Sequence, residues 1–365
     1  MKKVIGCPAR YIQGKGELAN VAEYAGPLGT NAFVLISAGG IKRYGADVEK
    51  SFKDKGTSFS FVEFGTESSR QEIERLRKEF TNAKCDLVVG VGGGKIIDTA
   101  KAVAFYESVP VVICATIAST DAPCTALSVI YTPEGIYEEY LFLPTSPDVV
   151  LIDTAVVAKS PARFTVAGMG DALATYFEGR SVIASDSDNL LGGKVTNSAF
   201  ALAKECYSVL LSHGKSAVEA LNTNSITQAV ERVVEANTFL SGVGAESCGV
   251  AAAHAIHNGL TALDETHDYY HGEKVSFGVV TQLVLEDYSK EEMEEVFKFC
   301  ISVGLPVTFK EIGVENVKRE SLMKVAQLAC SPGDTIGNSI VAVTPEDVVD
   351  AMLTADALGK MYKAQ

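Results

Sequence analysis

The chain has 365 residues, enough for about two domains at roughly 150 residues each. Asp plus Glu outnumber Lys plus Arg by 46 to 32, a formal charge of −14, which repels phosphate backbones and anionic lipid and so argues against nucleic-acid and membrane partners. A composition of 47% hydrophobic and 21% charged residues supports a large core and excludes disorder as a description of the whole chain.

No apolar run reaches the ~20 residues of a membrane helix. The start, Met1-Lys2-Lys3-Val4-Ile5-Gly6-Cys7-Pro8, lacks the apolar core of a secretory signal, so a cytoplasmic protein is expected. Eight cysteines are scattered without a CxxC pair, which suits reduced, buried thiols rather than disulfides or a cysteine zinc site.

In chain order, Ala32-Phe33-Val34-Leu35-Ile36 reads as a buried strand ending in the turn Ser37-Ala38-Gly39-Gly40. A second strand runs from Ser58 to Phe64. Ser69-Arg70-Gln71-Glu72 has capping-box spacing and opens a helix with Ile73, Leu76 and Phe80 on one face. Asp86 to Val91 is a third strand, followed by glycines and an alanine-rich helix over 96–106, and Pro110 to Ala115 is a fourth. Alternation of this kind predicts a mainly parallel sheet covered on both faces. Beyond Asp153 the runs 187–212, 224–240 and 345–363 have helical spacing instead. The expected organisation is an α/β domain over 1–153 and an all-α domain over 154–365, with a ligand cleft where they meet.

Three segments carry chemistry. Val88-Val89-Gly90-Val91-Gly92-Gly93-Gly94-Lys95-Ile96-Ile97-Asp98 passes from strand to loop to helix. Its three consecutive glycines allow positive φ and close approach of an anion to the helix N-terminus, and Lys95 adds a point charge. Neither GxGxxG nor Walker A fits, since Lys95 stands where the first needs Gly and Ile96 where the second needs Ser or Thr. The competing reading is a tight turn for helix–strand packing. Thr116-Ile117-Ala118-Ser119-Thr120-Asp121-Ala122-Pro123-Cys124-Thr125 follows a parallel strand and offers hydroxyls and a carboxylate to a ribose or polyol, or else satisfies its own backbone. Four of the five histidines, His254, His257, His267 and His271, fall within 18 residues. His254 and His257 share a face at i, i+3 on a helix that Gly259 is expected to close. Imidazoles on adjoining segments with a carboxylate are the material of a zinc or iron(II) site. Spacing does not say which two bind. Asp171 is the best carboxylate, although its local sequence favours an N-cap at the start of a helix.

Together these segments, with Gly170-Asp171-Ala172-Leu173-Ala174-Thr175 and Tyr270-His271-Gly272-Glu273-Lys274-Val275, resemble the glycerol dehydrogenases of the iron-containing, metal-dependent polyol dehydrogenase superfamily. The resemblance implies a dehydroquinate synthase-like architecture, with a nicotinamide-binding α/β domain and a helical metal domain. It implies oxidation of glycerol and related vicinal diols to ketones such as dihydroxyacetone, with hydride passing to NAD. By motif, Asp171, His254 and His271 become ligands of Zn2+ (or Fe2+), and Asp121 with His254 the groups at the substrate. Ser37, Gly93, Gly94, Lys95, Asp98, Thr116, Ser119, Thr125, Leu127 and Tyr131 become dinucleotide contacts. His257 or His267 is a candidate proton relay, and assembly into an octamer is expected. The superfamily's usual Asp after the second strand is absent. Ser37-Ala38-Gly39-Gly40 stands there with Lys42 and Arg43 close behind, so NADP is expected to be tolerated beside NAD.

Same-fold enzymes of anionic substrates, a dehydroquinate synthase or a glycerol-1-phosphate dehydrogenase, would want cations beside the metal. None lies between His254 and His271, whereas Asp264, Glu265 and Asp268 do. A nucleotide-binding protein without redox chemistry is the remaining alternative.

Overall fold

The computed structural model describes residues 1–365 and forms two compact units. One is Gly6–Pro161 with Asn224–Ile226; the other is Met1–Ile5 with Ala162–Thr223 and Thr227–Gln365. The division falls after Pro161 rather than Asp153, and the first five residues go with the helical unit, where Lys3 bridges Lys194.

The N-terminal unit contains β1 (Arg10–Gly14), α1 (Val21–Ala25), β2 (Asn31–Ile36), α2 (Ala38–Lys55), β3 (Ser58–Glu63), α3 (Arg70–Asn82), β4 (Leu87–Gly92), α4 (Gly94–Glu107), β5 (Val111–Ala115), β6 (Leu127–Tyr131), β7 (Tyr137–Phe142), β8 (Val149–Asp153) and α5 (Thr154–Val157). Six strands form one parallel sheet in the order β1-β8-β5-β4-β2-β3, and β6 pairs antiparallel with β7 apart from it. The central strands β4, β5 and β8 are buried at every position, which is why they read as unbroken apolar runs rather than alternating ones. β1, β7 and β8 escaped the sequence reading.

Register aligns Ile36 with Val91 and Gly92 with Ala115, so the carboxyl ends of β2, β4 and β5 share one edge of the sheet. Ser37, Gly93 and Thr116 therefore stand where ligands of open α/β sheets bind. At α3 only half of the expected capping box forms. Ser69 Oγ accepts from Glu72 N, but the Glu72 carboxylate accepts from Gly65 N at 2.7 Å and pairs with Arg75.

The second unit is helical: α6 (Ala162–Ala184), α7 (Asn197–Asn222), α8 (Gln228–Glu235), α9 (Ser241–Cys248), α10 (Ala252–Leu260), α11 (His271–Leu285), α12 (Lys290–Val303), α13 (Arg319–Ala329) and α14 (Pro345–Lys363). α14 matches its predicted run. The run 187–212 does not become helical until Asn197, because Asn189 organises a turn through Leu191 N and Gly193 N. The run 224–240 becomes α8 followed by a π-helical turn over Ala236–Leu240. No helix is long and apolar enough to cross a membrane.

Candidate active site

Asp171 lies in the third turn of α6, not at a helix start, so the N-cap reading fails. Gly168 and Gly170 do not interrupt α6; the second of them serves a close approach. A Cβ on Gly170 would lie 2.2 Å from Gly272 O, and one on Gly272 would lie 1.8 Å from Ala167 O. With no side chain at either position, α6 and α11 touch backbone to backbone. That contact brings His271, the first residue of α11, against Asp171. Gly259, expected to close α10, is also inside its helix and packs on Val325 O.

The three residues carried over by motif converge. His271 Nε2 is 3.1 Å and His254 Nε2 3.4 Å from the same oxygen, Asp171 Oδ1, and the donor atoms of all three lie within 4.8 Å of one another. Ligands bonded at about 2.0–2.1 Å around a tetrahedral cation stand roughly 3.3 Å apart, and both separations from Asp171 Oδ1 match that spacing. One buried carboxylate and two imidazoles also leave a coordination position open, which suits zinc or iron(II).

Each imidazole has a backing partner. His254 Nδ1 meets Glu178 Oε2 at 2.6 Å, two helical turns along α6 from Asp171 and fully buried. Sequence reading missed Glu178; its signal was the i, i+7 spacing of two acids on an apolar helix. His271 Nδ1 meets His257 Nε2 at 3.0 Å, His257 Nδ1 meets Asn258 Oδ1 at 3.2 Å, and Asn258 donates to Asp334. An amide does not pass a proton on, so this chain orients His271 rather than conducting. His267 is exposed and bonds Thr261 O at 3.0 Å, away from the cluster, so the structure supports neither histidine as a relay.

The electrostatics follow from burial and charge. Burial opposes ionisation of Asp171, but the His271 and His254 imidazoles overcome it and hold the carboxyl well below its usual range. Burial also opposes charging of His254, yet the Glu178 and Asp171 carboxylates on either side keep its pKa well above the ordinary histidine value. His257 is pushed well below that value, first by burial and then by His271, Lys274 and His254. The buried carboxylates thus favour positive charge at the place where a bound cation would supply it.

At the other site, no glycine of the Gly92-Gly93-Gly94 turn takes positive φ; Gly93 is extended at −93°. A Cβ on Gly90 would meet Ala100 at 2.6 Å, and one on Gly92 would meet Ile96 at 2.5 Å. Those two serve strand–helix packing. Gly94 is different: a Cβ there meets nothing within 4 Å, so the first turn of α4 faces open space. Lys95 does not reach over this turn; its ammonium pairs with Glu67 at 2.6 Å. Ser37 caps α2 by accepting from Gly40 N at 3.1 Å, and Arg43 folds back over Gly39.

The loop after β5 is held by Lys101, which sequence reading passed over. Its fully buried ammonium donates to Ala122 O at 2.9 Å and to Leu127 O, and pairs with Asp98 at 3.1 Å. Asp98 is buried against this ammonium, and so is Thr125, whose O and Oγ1 each lie 3.4 Å from it, while Thr116, Ser119, Asp121, Leu127 and Tyr131 are half-buried. Thr116 N ties the loop to Gly92 O at 3.0 Å. Burial, reinforced by Asp98 and nearby groups, pushes the Tyr131 phenol upward.

The family profile described as iron-containing alcohol dehydrogenase matches residues 8–154. Glycerol dehydrogenase of Thermotoga maritima is 51% identical, covering 98% of this chain and 97% of its own. The chain belongs to the iron-containing alcohol dehydrogenase family. Glycerol dehydrogenase of Pseudomonas putida is 47% identical, with 99% of both chains covered. The crystal structure of a probable glycerol dehydrogenase from Sinorhizobium meliloti 1021 superposes with a TM-score of 0.93 at 45% identity, over 99% of this chain and 100% of that one. These matches extend the iron-containing alcohol dehydrogenase assignment through the helical unit that the profile leaves uncovered.

Proposed function

We propose that this chain is a metal-dependent polyol oxidoreductase that oxidises glycerol, and related vicinal diols, at a secondary hydroxyl. The carbon-bound hydrogen leaves as hydride to nicotinamide while the hydroxyl proton is released, giving dihydroxyacetone, NADH and H+. The observation that carries this reading is the convergence of two imidazole nitrogens on Asp171 Oδ1. The full-length similarity to glycerol dehydrogenases directs the substrate class.

In this reading Asp171, His254 and His271 hold the cation, zinc or iron(II). A cation bound there acts as a Lewis acid that favours loss of the hydroxyl proton. The chain's own groups do the rest. The unit built on Gly6–Pro161 serves as the dinucleotide domain and the helical unit that begins at Ala162 as the metal domain. Gly93, Gly94 and the first turn of α4 seat the pyrophosphate through free N–H groups. Ser37, Thr116, Ser119, Thr125, Leu127 and Tyr131 line the rest of the dinucleotide site. Lys95 joins it by exchanging Glu67 for phosphate, and Asp98 serves indirectly through Lys101. Asp121 accepts a hydrogen bond from a polyol hydroxyl. Assembly is as a homo-oligomer, an octamer by family resemblance.

The test is an assay matrix: glycerol, 1,2-propanediol and 2,3-butanediol, each with NAD and NADP, before and after chelation. NAD reduction by vicinal diols that disappears with chelator and returns with zinc or iron(II) supports the reading. No turnover under any metal condition would favour a nucleotide-binding protein without redox chemistry. Ser37 in place of a carboxylate predicts kcat/KM with NADP within a thousandfold of that with NAD, and a wider gap contradicts that part.

A further inference from the structure

Glu178 sits in the middle of α6 with no exposed surface, and no lysine or arginine pairs with it. A buried carboxylate with no lysine or arginine beside it is costly unless hydrogen bonds hold both of its oxygens. Three donors do so here. Oε1 accepts from Ala251 N at 2.8 Å and from His254 N at 2.9 Å, and Oε2 faces His254 Nδ1 at 2.6 Å. The two N–H groups on Oε1 belong to Ala251, the residue before α10, and to a residue of its first turn. Glu178 therefore holds both the backbone that starts α10 and the imidazole that the same turn presents.

We propose that Glu178 is a positioning residue: by accepting at both oxygens it fixes the His254 ring with Nδ1 protonated and Nε2 turned to Asp171, and so sets cation affinity. The inference rests on the reading that Asp171, His254 and His271 hold a divalent cation. A neutral imidazole carries one N–H, and whichever nitrogen donates leaves the other as the lone pair for a metal. Acceptor at Nδ1 means ligand at Nε2. Carboxylates behind metal-binding histidines orient the ring and raise its basicity, and their loss typically costs 10–100-fold in metal affinity.

The geometry also says why a carboxylate is required rather than an amide of the same shape. Glutamine has one acceptor oxygen and one donor nitrogen. With its oxygen toward Nδ1, its NH2 confronts the N–H groups of Ala251 and His254. With its oxygen toward those N–H groups, its NH2 donates to Nδ1 and forces the proton to Nε2, where the metal would bind. Neither orientation satisfies all three donors.

The experiment compares wild type and Glu178→Gln, both stripped of metal, by zinc titration against a chromophoric chelator. Visible spectra of the cobalt(II) forms are recorded in parallel. The expected result is a zinc Kd raised 10–100-fold and an altered cobalt spectrum, with Glu178→Asp intermediate because it restores an acceptor on a shorter arm. An unchanged Kd and spectrum in folded Glu178→Gln protein overturns the inference. If wild type itself binds no zinc or cobalt, the underlying metal reading fails instead, and the two failures are distinct. Should the substitutions not fold, zinc-loaded wild type labelled with 15N-histidine answers the same question. His254 Nδ1 must carry a proton that exchanges slowly and is shifted far downfield by the carboxylate. Its absence overturns the proposal.

Discussion

At the glycine turn of the N-terminal unit, the groups proposed to seat the pyrophosphate, Gly93, Gly94 and the first turn of α4, are adjacent in sequence, and the strand–turn–helix order places them. In the helical unit the donors are far apart: Asp171 and His271 are 100 residues from each other and meet only because two helices touch at glycine. The first site is built by local geometry and the second by packing. Local sites therefore tolerate change according to the space beside each residue, whereas packed sites are lost when a distant contact is forced apart.

Substitutions that break the second site directly should have the largest effect. Asp171→Asn or His254→Ala should abolish retention of the cation and lower kcat/KM for glycerol on the order of a thousandfold, since the Lewis acid contributes several kcal/mol. Metal content and steady-state rates measured on the same samples check this; metal-replete variants with normal turnover would contradict the assignment. Next comes packing. Gly170→Ala puts a methyl 2.2 Å from Gly272 O, so thermal or denaturant unfolding should show a loss of about 1–3 kcal/mol, accompanied by weaker zinc binding.

Gly94→Ala is the matching change at the glycine turn and should behave in the opposite way. Nothing lies within 4 Å of the added methyl, so stability should hold within about 0.5 kcal/mol. NAD binding, followed by fluorescence, should nevertheless weaken, because the methyl occupies space the pyrophosphate needs. Equal loss of stability in both alanine variants would erase the contrast between the sites. The smallest effect belongs to His257→Gln. It removes a neutral partner of His271 rather than a carboxylate, so zinc affinity should fall by only a fewfold, less than for Glu178→Gln.

What the sequence made legible follows the same division. The buried strands, the turn after β4, the helix of α14 and the identity of the glycine-loop and histidine segments were readable because apolar runs, breakers and rare residue types are local signals. The helix around Asp171 was misread because glycines beside an acid look like a helix start when no neighbouring helix is in view. Positive φ was expected of the three glycines, but the structure uses two of the strand's glycines for missing side chains rather than for torsion. Glu178, Lys101 and the partnership of Lys95 with Glu67 were invisible because each depends on a partner from another element. The four histidines could be counted from the sequence; their division into two at Asp171, one behind His271 and one outside could not.

The account turns on one cation seated by Asp171, His254 and His271, and a titration tests it most directly. Metal-free protein is supplied with increasing zinc while bound metal per chain and NAD reduction by glycerol are recorded together. The account predicts that activity starts near zero and rises in proportion to occupancy, reaching its plateau at one ion per chain, and that Asp171→Asn shows neither rise. Full activity in the metal-free protein, or a plateau unaffected by loss of Asp171, would contradict it.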